Sequence, residues 1–461
     1  MAQIEVKYDP TLELEPIQDI MYNTSKYEPG DDSVNVSNGE VEQTKITGIA
    51  APLVKINDIT INFTQIKSFN LSCKGFLPTL NLCVYDMLGL TKQLDHPKGD
   101  NLVRIEILPP FEDVYKKVNL RFYITNFQSE GDLLYLTCKY NVSELYRNRL
   151  EAWGEMSTYQ LADKIAKDSK LGLASNVSEI DDKRYMYCRN QSFIDKIEEE
   201  IVRSGVQKVT PQCWIDWHNY VNIVDMWERY QSTDEIGKVW SMPDYRIDTE
   251  NGEDVKPIQF DAIISNNLDT QYSQLNINDY EIVNNIGKNV TNGTDKIVEI
   301  YNCTTGESAS MLIQDGDAKK DTFVKTIYMG ECFGDSNFQL QTICRDMAIQ
   351  KMYGQCIRVC LSSPLLGLER GGKVDLRWYD STESINEVKK DNDITTTVAE
   401  ETENPEPDLM ILNKSVSGQY LILETNLSYE GNGIKKMQWK YELLLGRPAD
   451  QIKTYGEDAE S

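Results

Sequence analysis

"SVSGQYLILETNLSYEGNG", Ser415 to Gly433, followed by "IKKMQWKYELLLGR" to Arg447, decides the architecture of this chain. Leu421, Leu423, Thr425 and Leu427 recur at every second position, Glu430-Gly431-Asn432-Gly433 supplies a turn, and Met437, Trp439, Tyr441 and Leu443 alternate on the return. A period of two lays one face of each strand on a core, so the segment reads as a long antiparallel hairpin. Directly before it, between Ser381 and Asp408, nine acids outnumber two lysines and Pro405-Glu406-Pro407 breaks any regular element. That composition reads as an insertion loop, after which the hairpin completes an interrupted sheet.

Working outward, QCIRVCLSS (355–363) and VDLRWYD (374–380) are further strands, the second launched from Gly371-Gly372. The front of the chain carries a similar plan. Leu80, Leu82 and Val84 alternate with Asn81, Cys83 and Tyr85. Gly99-Asp100 launches NLVRIEIL, where Val103, Ile105 and Ile107 oppose Arg104 and Glu106, and Pro109-Pro110 stops it. FYITNFQSEGDLLYLTCKY then turns at Ser129-Glu130-Gly131-Asp132, as the quoted hairpin turns near Gly431. A glycine-launched strand followed by two long alternating strands thus occurs twice, a weak internal repeat.

Between the two lie helical signals. Ser157-Thr158-Tyr159-Gln160 has capping-box form, with Leu161, Ile165 and Ala166 on one stripe and Gly172 as the stop. Ser192 caps a second helix with Ile194, Ile197 and Ile201 inward, Glu198 to Glu200 outward and Gly205 at the end. CWIDWHNYVNIVD, Cys213 to Asp225, reads as a hairpin turning at His218-Asn219. A strand-rich, Asn/Asp-heavy stretch follows to Gly330, then a helix from Ser336 to Tyr353.

Composition narrows the function. The 461 residues suffice for several domains, and no run reaches the roughly 18 apolar residues of a membrane-spanning helix, so no membrane insertion is expected. Lys and Arg total 47 against 73 Asp and Glu, a net charge of −26 that repels phosphate and argues against specific nucleic-acid binding. Ten scattered cysteines form no disulfide framework or zinc spacing, and the N-terminus lacks a signal-peptide pattern, so synthesis in the cytoplasm is expected. No catalytic, cofactor or metal residues stand out. His96 and His218 read as loop residues, and Asp315 to Asp321 as a solvated turn rather than a calcium loop. Trp214 and Trp217 read as hairpin core rather than a sugar-binding shelf.

The order of β-module, STYQLADKIAKDSKLGL, QSFIDKIEEEIVRSG, CWIDWHNYVNIVD and GLERGGKVDLRWYD…SGQYLILETNLSYEGNG…WKYELLLGR resembles the central baseplate hub proteins of contractile phage tails. This late control or tail-hub family is similar to the hub half of type VI secretion spike proteins, and the resemblance spans roughly 50–448. It implies a mainly β fold with an α+β connector: two tail-tube-like antiparallel β-barrel modules plus a small helical/β middle region. The expected organisation is an acidic extended arm (1–48) ordered where a partner holds it, a first barrel (49–150) and an α/β connector (151–255). A strand-rich middle (256–335), a second barrel (336–448, with insertion loop 381–408) and a tail (449–461) complete it.

The resemblance further implies a non-enzymatic homotrimer of the virion tail baseplate, assembled in the host cytoplasm. It would join the tail tube protein to the central spike protein among other baseplate proteins, with DNA passing through its lumen without specific binding. Arg104, Ile105, Glu106, Ile107, Val374, Asp375, Leu376, Arg377 and Trp378 are the expected interface residues. A peptidoglycan-degrading baseplate enzyme and a peripheral, receptor-binding component are the alternatives, and related secretion machines share the architecture.

Overall fold

In this computed structural model the described residues are 4–14, 17, 52–94, 101–108, 117–177, 182–204, 211–231, 262–267, 276–285, 296–313, 325–332, 349, 353–361, 364, 366–381, 410–431 and 437–448. Most of the arm, His96, Asp315 to Asp321, the expected helix from Ser336, the insertion loop beyond Ser381 and the C-terminal tail lie outside them.

The protein is mainly β, built on one continuous curled sheet. After β1 (Glu5–Tyr8), the front module contains β2 (Leu53–Ile56), β3 (Ile59–Ile61), β4 (Ile66–Cys73), β5 (Thr79–Tyr85), β6 (Leu102–Ile107), β7 (Val118–Glu130) and β8 (Leu133–Tyr140). Its order across the sheet is β3-β2-β6-β7-β8-β5-β4. A connector follows, with β9 (Arg149–Met156), β10 (Gly172–Ser175), β11 (Arg184–Gln191), β12 (Pro211–Ile215) and β13 (Tyr220–Asp225). Its helices are α2 (Ser143–Tyr146), α3 (Thr158–Asp168), α4 (Phe193–Arg203) and α5 (Met226–Gln231), α1 (Leu90–Gln93) being a single turn in the front module.

The rear module contains β14 (Ala262–Ser265), β15 (Ile277–Asn285), β19 (Gln355–Leu361), β20 (Lys373–Arg377), β23 (Gly418–Gly431) and β24 (Met437–Arg447). A small sheet of β16 (Lys296–Asn302), β17 (Ser308–Ile313) and β18 (Lys325–Cys332) is inserted after β15, and β21 (Tyr379–Ser381) pairs with β22 (Met410–Leu412). β14 and β15, which the sequence places in the strand-rich middle, hydrogen-bond into the rear sheet, a long-range choice that local alternation does not encode.

Laid side by side, the modules share one topology. The front order β2-β6-β7-β8-β5-β4 matches the rear order β14-β20-β23-β24-β19-β15, except that β14 runs parallel to β20 whereas β2 runs antiparallel to β6. The match extends to irregularities. β7 carries a bulge between Ile124 and Asn126, and β23 carries one between Ile422 and Glu424. β4 is irregular between Ile66 and Ser68 and β15 between Ile277 and Tyr280, at corresponding places against β5 and β19. Ile124 N–H donates to Asn101 O at 3.0 Å where Ile422 N–H donates to Gly372 O at 2.9 Å. Antiparallel pairing alone does not reproduce bulge positions, so a duplicated unit is the physical account.

The bulge also corrects the alternation read from sequence. One extra residue at Leu423 reverses which face the strand presents, so Tyr420 and Ile422, not Leu421 and Leu423, share the core side of Thr425 and Leu427.

In the connector, both capping boxes form, Ser157 with Gln160 and Ser192 with Asp195, and each such cap contributes about 1 kcal/mol. α3 ends differently from expectation. Lys170, at φ 58°, takes the left-handed position, and Leu171 N–H closes back on Ala166 O at 2.8 Å. Gly172 instead permits close approach, since a Cβ there would stand 2.4 Å from the Tyr220 ring. Glu200 is buried rather than outward because Lys196 Nζ (2.5 Å) and Arg184 Nε (2.6 Å) accompany it. Burial alone would raise its carboxyl, but these hydrogen bonds outweigh that and hold it below the ordinary range. The start of the arm is held by the chain itself: β1 pairs antiparallel with β10, and Ile17 N–H donates to Glu106 Oε2 at 2.8 Å.

Candidate functional site: the seam between two barrels and the junction that braces it

The two modules meet edge to edge. β4, the last strand of the front module, pairs antiparallel with the C-terminal half of β23, Leu71 facing Leu427 and Phe69 facing Tyr429. β20 occupies the other half of the same β23 edge, so the front and rear sheets fuse without a gap. Leu71 and Leu427 are both 0% exposed, and Trp439 seals the end, edge-on to Phe69 at 6.0 Å and tilted against Tyr429 at 5.0 Å. Gly431 is required at this end because a Cβ would lie 2.3 Å from the Ile66 carbonyl oxygen.

The "SGxY…LLLGR" signature has a physical reason. Arg447 is 2% exposed, and its guanidinium donates to Gln355 Oε1 (2.6 Å), Ser417 O (2.8 Å) and Ser415 O (2.7 Å) while lying 4.7 Å from the Tyr420 ring centre. Gly418, at φ 139°, leaves room for it: a Cβ there would sit 2.6 Å from Nη1. The clamp fixes the chain where it re-enters the sheet at Ser415, which answers why an ordered hairpin follows an acidic insertion.

Behind the seam, the β12–β13 hairpin joins both modules. Ile215 N–H donates to Phe76 O at 2.7 Å, and Tyr140 Oη donates to Asn219 Oδ1 at 2.6 Å, tying it to the front barrel. On the rear side Arg229 Nε donates to Gly371 O at 3.1 Å. Arg370 lies over the Trp214 ring at 4.7 Å and donates to Gly75 O at 2.8 Å, bridging rear segment and front barrel. Trp214 and Trp217 are both 0% exposed, as core rather than a surface shelf.

His218, read as an exposed tip, is buried. The adjoining Trp217 packs on Tyr441 at 5.9 Å, and His218 Nδ1 lies 2.8 Å from Glu369 Oε1. The turn is covered by the rear module, and nothing in its polar composition reports that. Asp216, His218 and Glu369 place ligand atoms within 4.8 Å of one another, a geometry of metal-binding size. Asp216, however, already caps the turn: Oδ1 accepts the N–H groups of His218 and Tyr220, both at 2.9 Å, and Oδ2 accepts Asn222 Nδ2 at 2.9 Å. Asp216 is therefore committed to bracing the turn by hydrogen bonds, with Glu369 set beside His218 as a buried ion-pair neighbour. Burial raises the Glu369 carboxyl from 4.5 to about 7, with His218 opposing the rise, and burial raises Asp216 as well. The neighbouring Cys73 thiol is pushed up to about 12 by burial, which keeps it protonated and unreactive.

The expected interface residues fall into two groups. Ile105, Ile107, Val374 and Leu376 are 0% exposed within the chain's own core, and Glu106 is buried with Lys117 Nζ at 2.6 Å. Arg104, Asp375 and Trp378 are half-buried and Arg377 is exposed, its Nε 2.9 Å from Asp375 Oδ2. Both strands are central: β6 lies between β2 and β7, and β20 between β14 and β23. Sequence reasoning missed Arg447, Gly418 and Glu369. For the first two, the arginine ending an apolar strand and the glycine opening its partner were the available signal.

No protein-family profile and no curated protein matches the chain. Solved structures do. A tail protein from Neisseria meningitidis MC58 is 10% identical with a TM-score of 0.46, over 87% of this chain and 97% of that one. A 43 kDa tail protein of prophage MuSo2 from Shewanella oneidensis is 9% identical with a TM-score of 0.47, over 87% and 98%. An Escherichia coli component of the type VI secretion system, described as similar to the T4 bacteriophage tail proteins gp27 and gp5, is 8% identical with a TM-score of 0.36, over 87% and 78%.

Proposed function

We propose that this protein is the structural hub of a contractile-tail baseplate, a homotrimer that adapts the sixfold tail tube to the threefold central spike. The observation that carries the reading is the duplicated strand order of the two modules, with bulges at matching places in β7 and β23. A closed ring of three subunits can meet a ring of six only if each subunit presents the same surface twice, and in this reading the two modules joined through β4 and β23 supply it. The net charge of −26 suits a conduit that lets DNA pass without adhesion. In this reading Arg104, Asp375 and Arg377 on the two central strands, with Trp378 just beyond β20, contribute to contacts with tube or neighbouring subunits.

Sedimentation equilibrium on the purified full chain tests the proposal. A particle of three times the chain mass is expected, and a chain that stays monomeric at tens of micromolar, with tube and spike proteins added, overturns it. Lysis of cell-wall material in a zymogram would redirect the reading to an enzyme.

A further inference from the structure

The turn between β12 and β13 carries a donor set with chemistry beyond bracing. Among the described residues, Asp216, His218 and Glu369 bring one ligand atom each to within 4.8 Å of one another, and the three are only 1%, 6% and 3% exposed. One imidazole and two carboxylates are donors that suit a divalent transition ion, zinc foremost. Charge favours the same occupant. Two carboxylates and a neutral imidazole cancel a dication, so the filled cluster is neutral, whereas the ion-free one leaves two buried acids to share a single imidazole.

The three side chains are held as ligands are held. Asp216 accepts the N–H groups of His218, Tyr220 and Asn222, which orient its carboxylate from outside while leaving acceptor capacity on a group with about four lone-pair sites. Glu369 Oε1 lies 2.8 Å from His218 Nδ1, yet it accepts no aligned hydrogen bond from any described residue. Two donor atoms turned toward one common centre stand in that relation, close together without pointing at each other. The backbone behind Glu369 is pinned: its carbonyl accepts Gly372 N–H at 3.0 Å, and the preceding Leu368 carbonyl accepts Tyr441 Oη. Ligand atoms about 2.0–2.2 Å from one zinc stand roughly 3.4 Å apart, so side-chain shifts of about an ångström close the shell.

We propose that Asp216, His218 and Glu369 bind one zinc ion, which clips the connector hairpin to the rear module. The ligands come from both sides of that junction: Asp216 and His218 from the β12–β13 turn, Glu369 from the segment leading into β20. Hydrogen bonds from Ile215 N–H to Phe76 O and from Tyr140 Oη to Asn219 Oδ1 already tie the hairpin to the front module, and the ion supplies the corresponding tie to the rear. Three protein ligands leave a fourth position for a buried water. With all three ligands buried, the site works as a cross-link and not as a catalytic centre. The proposal stands apart from the trimeric reading, since every ligand belongs to one chain.

Protons compete with the ion for all three ligands, so the test uses full-length chain freed of metal with chelator and titrated at about pH 8 with zinc chloride alone. The expected result is one zinc per chain after gel filtration and a thermal midpoint several degrees higher, both reversed by chelator. Cobalt chloride in place of zinc should give the intense visible band of a four-coordinate ion. Glu369→Gln and His218→Gln should each weaken zinc binding at least about tenfold, as loss of a ligand costs no less than loss of its support. Glu281→Gln, at an exposed carboxylate, should leave it unchanged. Should either ligand variant fail to fold, the cobalt spectrum and the chelator-reversible melt of the unaltered chain still decide. A chain that retains no zinc overturns the site. Zinc held equally by both ligand variants, or cobalt showing only the faint band of a six-coordinate ion, places the metal on surface carboxylates and overturns it as well.

Discussion

The front and rear barrels answer one structural problem with different chemistry. Where β7 meets β8 in front, Phe122 faces Tyr140, their rings edge-on at 6.2 Å. At the corresponding place in the rear, Tyr420 meets Arg447, a buried cation bonded to Gln355 and to two backbone carbonyls. The rear module carries an insertion between β20 and β23 and must anchor the returning chain at Ser415, and a guanidinium reaches several carbonyls at once where an aromatic ring reaches none. The lesson is that duplication preserved strand order and bulges, while each half adapted its interior to what its loops demand.

That contrast can be broken most severely at Arg447. Arg447→Ala strands Gln355 and the carbonyls of Ser415 and Ser417 in the interior and should cost about 3–5 kcal/mol, read from urea unfolding. An unchanged midpoint would show that the clamp is decorative. Next is the seam. Gly431→Ala drives a methyl into the Ile66 carbonyl oxygen and should cost about 3 kcal/mol, with hydrogen exchange rising along β4 and the C-terminal half of β23 rather than along β5.

The brace between the barrels offers a pH test. Because the folded Glu369 carboxyl sits at about 7, above its ordinary 4.5, the folded state holds a proton that the unfolded chain releases. The associated stability is complete below about 4.5 and is lost as pH rises through about 7, an effect on the order of 3 kcal/mol. Glu369→Gln should flatten the stability profile between about pH 4.5 and 7, and a profile identical to that of the unaltered chain would contradict the assignment. The smallest effect belongs to the front barrel's own tie to the connector. Tyr140→Phe removes the bond to Asn219 Oδ1 and should cost about 1 kcal/mol in thermal unfolding, well below the Arg447 change.

Much of this was legible in the sequence because it is local. The period-two runs at Leu80 to Val84, Val103 to Ile107 and Thr425 to Leu427 became strands facing the core, and Ser157-Gln160 and Ser192 became helix caps. What was hidden is long-range. His218 lies in a turn whose composition says exposure, and only the arrival of Glu369 some 150 residues later buries it. β14 and β15 alternate too weakly to declare their partners, and a bulge such as that at Leu423 reverses faces without a residue type that marks it. The seam itself depends on Gly431, where a glycine that reads as turn chemistry also permits a backbone contact between modules.

The central claim is that two equivalent barrels per chain let three chains build a six-part ring. Electron microscopy of the assembled particle viewed along its axis tests it most directly. Six barrel densities spaced at near-sixty-degree intervals, alternating between two kinds, are the predicted result. Three barrel densities, or a particle with no rotational axis, would contradict it.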